Sequence, residues 1–422
     1  MFEAAPRNAR GEWRRYGIVP VAAAVGYSTM ALQTYAIGPF IVPLEHQFGW
    51  SRAEVLSGLT ISSIIGLLFN FMVGLVSDRF GPRRVALAGV VIKSLGIALL
   101  ATATGSLLNW SLLWLVVSLG AVLAQANVWC SAVASRFEHG RGLALSVALS
   151  GSSVCGAIAP VLGTWLIVNH GWRAGFAGLG LLWLVAVLPI VFLFFRGRQD
   201  KVQADASAPA DELPAQLPGV TVGEGLRMAA FWKLMITAFA FAFYTMSISP
   251  NLVPLMTEKG EGAAQAAGLA SLVGVVGIVA RISTGYLLDR FSARLLGTIV
   301  FLLPVGGCWL MLGGNAGGSL GLAVAVASFG MTIGAEYDIA FYLVGRHFGL
   351  KRFAALMGGL LTAGATGAAI APIVAGHLHD RSGSYDQMLM ILMGMMSLGA
   401  LAMASLGKAR HSWSAEEGFA IP

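Results

Sequence analysis

The sequence predicts an all-α membrane protein: twelve transmembrane helices arranged as two parallel six-helix repeats. Composition is the first observation behind this. The 422 residues are 57% hydrophobic and 11% charged, with a mean hydropathy of +0.76. A soluble domain carries about 25% charged residues, so this chain lacks the polar groups to cover a globule in water. The second observation is length: apolar runs of about 18 residues or more recur, each able to cross a hydrocarbon core of ~30 Å as a helix. The short alternating strands of a membrane barrel are not seen. The third is an internal repeat. GLVSDRFGPRR begins at Gly74 and GYLLDRFSAR at Gly285, 211 residues later; AIAP occurs at 157–160 and 369–372, and Phe137 is matched by Phe348. Matching elements in one order, on the same loop sides, describe parallel repeats, which rock about a site near the bilayer midplane in transporters so built.

Taken in order, the spans fall at roughly 18–44, 52–76, 85–105, 109–134, 142–169 and 174–195 in the first half. In the second they fall at roughly 230–256, 264–288, 294–313, 318–345, 353–378 and 386–407. The polar, Arg-bearing stretch MFEAAPRNARGEWRRYG precedes a first span too long for a signal-peptide core, so it reads as uncleaved. One long loop, 196–228, is rich in Ala, Pro, Asp and Glu and reads as a cytoplasmic linker. The expected division is therefore a six-helix bundle over 1–195, the linker, and a second bundle over 229–422 that ends in a short cytoplasmic tail.

With the N-terminus inside, only Arg52, Arg173, Lys259 and Arg381 fall in outer loops, and only Lys93 and Arg281 lie within spans; the remaining Lys and Arg are on the inner side. This follows the positive-inside rule. The net charge of +7 thus reports topology and gives no reason to expect nucleic acid. Both termini are expected in the cytoplasm of a bacterial-type inner membrane. Cys130, Cys155 and Cys308 lie in spans without metal-ligand spacing and read as small packing residues. No metal or cofactor is expected, no GxxxxGK[ST] loop points to ATP, and no nucleophile–base pattern suggests an enzyme. Lys93 is expected to snorkel toward the inner surface along its stem.

The first copy of the repeated loop, Gly74, Asp78, Arg79, Gly81, Arg83 and Arg84, resembles the signature between the second and third helices of the major facilitator superfamily. The second copy keeps Gly285, Asp289 and Arg290, but Ser292 stands in place of the second Gly and Arg294 alone remains of the basic pair. The resemblance implies the major facilitator fold, with these residues in gating. Glycines permit close helix approach, and an Asp at a helix end can exchange partners between conformations. FGWSRAEV at 48–55, NLVPLMTEKG at 251–260, VARISTGYLLDR at 279–290 and RHFG at 346–349 resemble the monocarboxylate transporter and oxalate/formate antiporter branch. The resemblance implies that Arg281, matching the branch's eighth-helix Arg, binds a substrate carboxylate. Animal members carry an Asp one turn earlier, where this chain has Gly277; the eleventh-helix Lys of oxalate exchangers has no equivalent here.

Arg281 precedes Asp289 by eight residues, and Glu336 and Asp338 precede Arg346 by ten and eight, so all three charges lie ~12–15 Å from the inner helix ends. A charge at the membrane centre costs at least ~2.5–3.5 kcal/mol, which makes each a candidate functional group. Glu336 and Asp338 are about 200° apart on a helix and cannot both face one neighbour; they are the proton-coupling candidates, with pairing to Arg281 as the structural alternative. At the 211-residue offset Arg281 corresponds to Asn70, Glu336 to Gln125 and Asp338 to Asn127. A cavity with amides on one wall and a guanidinium fork on the other suits a small acid. Tyr35, Tyr244 and Asn251 are further candidate wall contacts. Asn251 lies between Pro250 and Pro254, which can break the seventh span or merely kink it.

The expected function is secondary transport of a small, monocarboxylate-like organic anion by alternating access, coupled to a proton, by a monomer in the bilayer. The same fold carrying a larger amphipathic or peptide-like solute is the second reading. A membrane sensor or scaffold that no longer transports is the third.

Overall fold

The computed structural model describes residues 9–134, 136–137, 140–196, 219–288, 290–313, 318–349 and 353–407. The first half contains α1 (Ala9–Tyr16), α2 (Ile18–Ala36), α3 (Ile41–Phe48), α4 (Arg52–Phe80), α5 (Pro82–Leu99), α6 (Leu107–Leu123), α7 (Ala126–Ala134), α8 (Arg141–Leu149) and α9 (Gly151–Phe194). The second contains α10 (Val222–Arg227), α11 (Ala229–Glu258), α12 (Ala263–Leu288), α13 (Ala293–Leu312), α14 (Gly318–Phe348), α15 (Phe353–Ser382) and α16 (Asp386–Ala404).

Ten helical stretches are long and apolar enough to cross a membrane. One of them holds two spans, because α9 turns at Gly171, whose φ of 81° marks a sharp break inside it. The first span, α2 with a 3-10 turn at Gly38–Phe40 and then α3, is not among the ten; Tyr27, Ser28, Thr29, Gln33, Thr34 and Tyr35 make it more polar than its neighbours. With it the architecture has twelve spans in two six-helix repeats, as the sequence predicts.

The structure corrects two expectations and decides one open alternative. The fourth span is not continuous: α6 ends at Leu123 and α7 begins at Ala126, and the Trp129 indole donates to the Ala124 carbonyl released at the break (2.9 Å). The seventh span is not broken, since α11 runs through both Pro250 and Pro254. Lys93 does not snorkel. It is fully buried in α5, its Nζ donating to the Met30 carbonyl of α2 (2.5 Å), and Gly120 of α6 lies against its backbone.

The halves meet at the face opposite the termini. Asp380, at the end of α15, accepts from the backbone N–H groups of Arg52 (2.9 Å) and Ala53 (3.2 Å) at the start of α4. Gly376 permits this approach, because a Cβ there would strike the Ala53 backbone at 2.6 Å. The α4 start also has its own capping box between Ser51 and Glu54, so one helix N-terminus is held from both halves. Arg52 grips Glu45 bidentately (2.7 and 2.9 Å) and donates to the Tyr385 hydroxyl (2.7 Å), which donates to Asn251 (3.0 Å). Burial pushes the Tyr385 phenol up despite the neighbouring Arg52 cation, so it remains a neutral link. Lys259–Asp386 (3.2 Å) and His379–Glu258 (3.4 Å) complete this end within the second half. Deeper in, Thr60 and Ser63 of α4 donate to the Ala369 and Ala368 carbonyls of α15 (2.9 and 3.4 Å). At the terminal end the bonds of Glu12 to Gly140, Lys233 to Ser405 and Arg294 to Leu406 each stay within one half, and Val220, near the end of the linker, donates to Phe348 of the second half.

Candidate functional site

The site grows out of α12, a helix of 26 residues in which Arg281 is the only charged side chain. Small residues fix its position. A Cβ on Gly274 would overlap Ala157 and Ser153 of α9, and one on Gly334 of α14 would overlap Gly277. The helix is thus in backbone contact with a helix of the other half and with α14 at once. Gly277 itself is enclosed, with Ser153 Oγ 3.1 Å from where a Cβ would stand. A side chain one turn before Arg281 would have to displace Ser153.

These contacts lie on the outer side of Arg281 and leave its side chain buried, 5% exposed, between the halves. No ion pair or hydrogen bond within the described residues engages it, and its Nε is sealed from solvent without an acceptor. A fixed pairing with Glu336 or Asp338 is therefore not formed. Both acids nevertheless lie within electrostatic reach of the guanidinium, as do Tyr27, Tyr35 and Tyr337. Glu336 is buried, 2% exposed; Asp338 is half-buried with one carboxylate oxygen, Oδ2, sealed and unpartnered. The two acids thus sit in different surroundings, as their angular separation requires.

The other expected contacts divide. Tyr35 is buried with its ring against Gly156, within electrostatic reach of Arg281; it lies near Ser249 of α11 without completing a hydrogen bond. Gln125 is half-buried at the break between α6 and α7, and Asn127 is exposed, its Oδ1 accepting from the Val128 N–H (2.9 Å). Neither is hydrogen-bonded to Arg281. Only the helical backbone is described for Asn70. Tyr244 is fully buried against Phe329 (centroids 5.9 Å apart), its hydroxyl without a partner among the described residues, and it lies within electrostatic reach of Tyr35. Asn251 is not part of the group around Arg281: its Nδ2 donates to the Ser247 carbonyl (2.8 Å) and its Oδ1 accepts from Tyr385, so it belongs to the outer closure. Sequence reasoning missed Tyr27 and Tyr337. Tyr337 stands between the two acids and could have been found by asking what occupies the face they leave; Tyr27 shares a helical stripe with Tyr35.

The repeated loops differ in construction. Gly81 ends α4 with φ 85°, a left-handed conformation that favours glycine. Its counterpart Ser292 is an ordinary N-cap, φ −66°, accepting from the Leu295 N–H (3.3 Å). The replacement of the second glycine in the second copy follows from that. Arg79 lies over Phe80, Arg83 over Phe192 and Arg290 over Tyr286, while Arg84 is exposed. Gly285 does not serve close helix approach, since the space beside it is open. Gly74 and Asp78 are described in backbone only, and Asp289 lies outside the described residues. A 460 Å³ groove lined by Trp232, Met235, Ile236, Phe239, Ala363, Met395 and Leu398 is apolar and includes none of the candidate residues.

Comparison with known proteins finds related transporters. Monocarboxylate transporter 13 of Rattus norvegicus is 24% identical over 381 residues, covering 88% of this chain and 84% of its own. The gallate transporter of Pseudomonas putida is 26% identical over 373 residues (77% and 80%), and a probable sulfoacetate transporter of Cupriavidus necator is 25% identical over 391 (82% and 85%). Among solved structures, a D-xylose-proton symporter superposes with a TM-score of 0.71 at 17% identity, covering 92% of this chain and 97% of its own, and so shares the fold. The Major Facilitator Superfamily model matches residues 23–372, and the chain belongs to that family.

Proposed function

We propose that this protein is a secondary transporter of a small, monocarboxylate-like organic anion. It would work by alternating access between the halves 1–195 and 229–422, as a monomer in a bacterial-type inner membrane with both termini cytoplasmic. The observation that carries the reading is Arg281: a permanent cation buried between the halves, with no acceptor provided by the described residues. A guanidinium in that state needs an anion or water, and its planar fork matches a carboxylate. The relatives named as monocarboxylate, gallate and sulfoacetate transporters support an organic anion as the class.

Glu336 and Asp338 are proposed as the proton-coupling groups. They lie near enough to feel the charge on Arg281 yet are not locked to it. An anion that neutralises Arg281 removes the charge that favours their ionised forms, so anion binding and proton uptake assist each other. Gln125 and Asn127 belong to the opposing wall in this reading, and the Gly74–Arg84 segment governs closure on the terminal side. No cofactor is required.

Uptake by proteoliposomes tests this. A panel of labelled carboxylates should include one that accumulates under an imposed pH gradient or against internal counter-substrate. Arg281→Ala should abolish that uptake, and Arg281→Lys, which keeps the charge and loses the fork, should weaken substrate affinity at least tenfold. Unchanged affinity in both variants would remove the receptor role. If Glu336→Gln and Asp338→Asn both still accumulate substrate with normal proton uptake, neither is the proton carrier.

A further inference from the structure

The apolar groove beside α11 takes no part in the transport reading, and three helices of the second half build it. Trp232, Met235, Ile236 and Phe239 follow i, i+3, i+4, i+7 spacing and form one stripe of α11. Met395 and Leu398 add a pair from α16, and Ala363 of α15, a single methyl, keeps the surface concave between them. Trp232, Ile236 and Leu398 are exposed, whereas Met235, Phe239, Ala363 and Met395 are half-buried, as the rim and floor of a groove are. Gly367, one turn beyond Ala363, brings α15 onto the α11 backbone, since a Cβ there would lie 2.5 Å from the Phe239 carbonyl. That contact closes the Phe239 end. Trp232 to Phe239 is ~10 Å of helix, beginning three residues inside the α11 end on the side of the termini. Ala363 and Leu398 lie ~15 and ~9 Å from the same side's ends of α15 and α16. The groove therefore occupies the half of a ~30 Å hydrocarbon core nearest the termini.

Its mouth is amphipathic and cationic. The Trp232 indole donates to the Leu226 carbonyl of α10 (2.9 Å), and Gly225 admits Leu356 of α15, 2.7 Å from where a Cβ would stand. These contacts fix α10 at the mouth, with Val222 and Leu226, four residues apart on one face, exposed. Arg227 follows them, also exposed, and no ion pair or hydrogen bond among the described residues engages it. Lys233 uses one donor on the Ser405 carbonyl (2.5 Å) and keeps two. Glu224, the acid of this corner, accepts from the Thr221 N–H in the α10 capping box. An apolar groove confined to one leaflet, an indole at its mouth and two cations beside it match a lipid chain below a negative headgroup. We propose that the groove holds one acyl chain of an anionic phospholipid, whose phosphate is received by Arg227 and Lys233. The proposal is independent of the anion-receptor reading of Arg281.

The test is quenching of Trp232 fluorescence in phosphatidylcholine vesicles that hold the full chain. A minor fraction of the lipid carries brominated chains, as phosphatidylglycerol in one series and phosphatidylcholine in the other. The Trp232 signal is the difference between the parent chain and Trp232→Phe; Trp232 is 55% exposed, so this change spares the core. One cation near an anionic leaflet is worth about fivefold in affinity. Brominated phosphatidylglycerol is therefore expected to quench Trp232 with at least about fivefold higher apparent affinity than brominated phosphatidylcholine. Replacing both cations, Arg227→Gln with Lys233→Gln, should bring the two lipids to within about twofold of each other. Ala363→Phe, which fills the floor and leaves both cations, should weaken quenching by brominated phosphatidylglycerol at least about twofold. Equal apparent affinities for the two lipids at Trp232 overturn the proposal whatever the other variants do, since the groove is then solvated by bulk lipid alone. A preference that survives loss of both cations, or quenching unmoved by Ala363→Phe, overturns it as well. So does a Trp232 shielded from both brominated lipids; sedimentation of the chain as a dimer would then identify a second copy as the occupant.

Discussion

Arg281 and Lys93 are both cations buried in spans, and the structure treats them differently. Lys93 has a carbonyl partner within its own half; Arg281 has none among the described residues and lies between the halves. Replacing a buried charge by an apolar residue of similar volume is often neutral or stabilising, by about 1–4 kcal/mol. Arg281→Met is therefore expected to raise the thermal unfolding temperature in detergent while abolishing substrate binding, the trade-off of a site kept for function. A clear fall in unfolding temperature would instead identify Arg281 as structural. Lys93→Met should be neutral or stabilising, since the Met30 carbonyl keeps its helical bond, whereas Lys93→Arg should destabilise because a larger, permanently charged group must fit a fully buried place. Arg281 was legible in the sequence as an isolated cation in an apolar run. Lys93 was equally visible but misread, because only packing decides whether a long stem points toward the surface or into the bundle.

At the level of elements, twin sequences have diverged where their backbones differ. Gly81 adopts φ 85° and Ser292 does not, so Gly81→Ala should cost about 1 kcal/mol or more. Ser292→Gly should cost only a few tenths, because glycine is a tolerable N-cap. Thermal unfolding of the two single variants measures the contrast; equal losses would refute the assigned loop geometries. The long spans were readable from hydropathy alone; most of the expected linker, 197–218, lies outside the described residues, and its end folds as α10. The break at Ala124–Gln125 was not, because apolar residues run through it and the group that satisfies the freed carbonyl, Trp129, has no sequence pattern that marks it as a cap. The prolines of α11 left a break or a kink open, and only the structure shows the helix running through both.

For the whole molecule, the closure opposite the termini is a contact between an acid at one helix end and the N-terminus of another, 328 residues apart. Such a contact favours the closed arrangement by the helix-end interaction, about 0.3–2 kcal/mol when partly buried, enough to move a balanced equilibrium several-fold. Asp380→Ala should therefore populate an arrangement open on that face. Spin labels at the exposed positions Gln47 and Arg381 would show it as a longer distance component absent from the parent chain; an unchanged distribution would mean that the Arg52–Tyr385 bond and the α4–α15 carbonyl contacts suffice alone.

By itself the sequence determined the membrane class, the duplicated six-helix plan and the depth of Arg281, Glu336 and Asp338, because each of these follows from composition, helical rise and an offset within one chain. Only the tertiary structure decided which side chains share that depth and also share a neighbour. It placed Asn251 in the outer closure, brought Tyr27 and Tyr337 to Arg281, and left the guanidinium without an ion pair. The physical reason is that rotation about each helix axis is fixed by close glycine contacts such as Gly274 on Ala157 and Gly334 on Gly277. Those contacts join helices more than a hundred residues apart or from different turns of one half, and no local pattern records them.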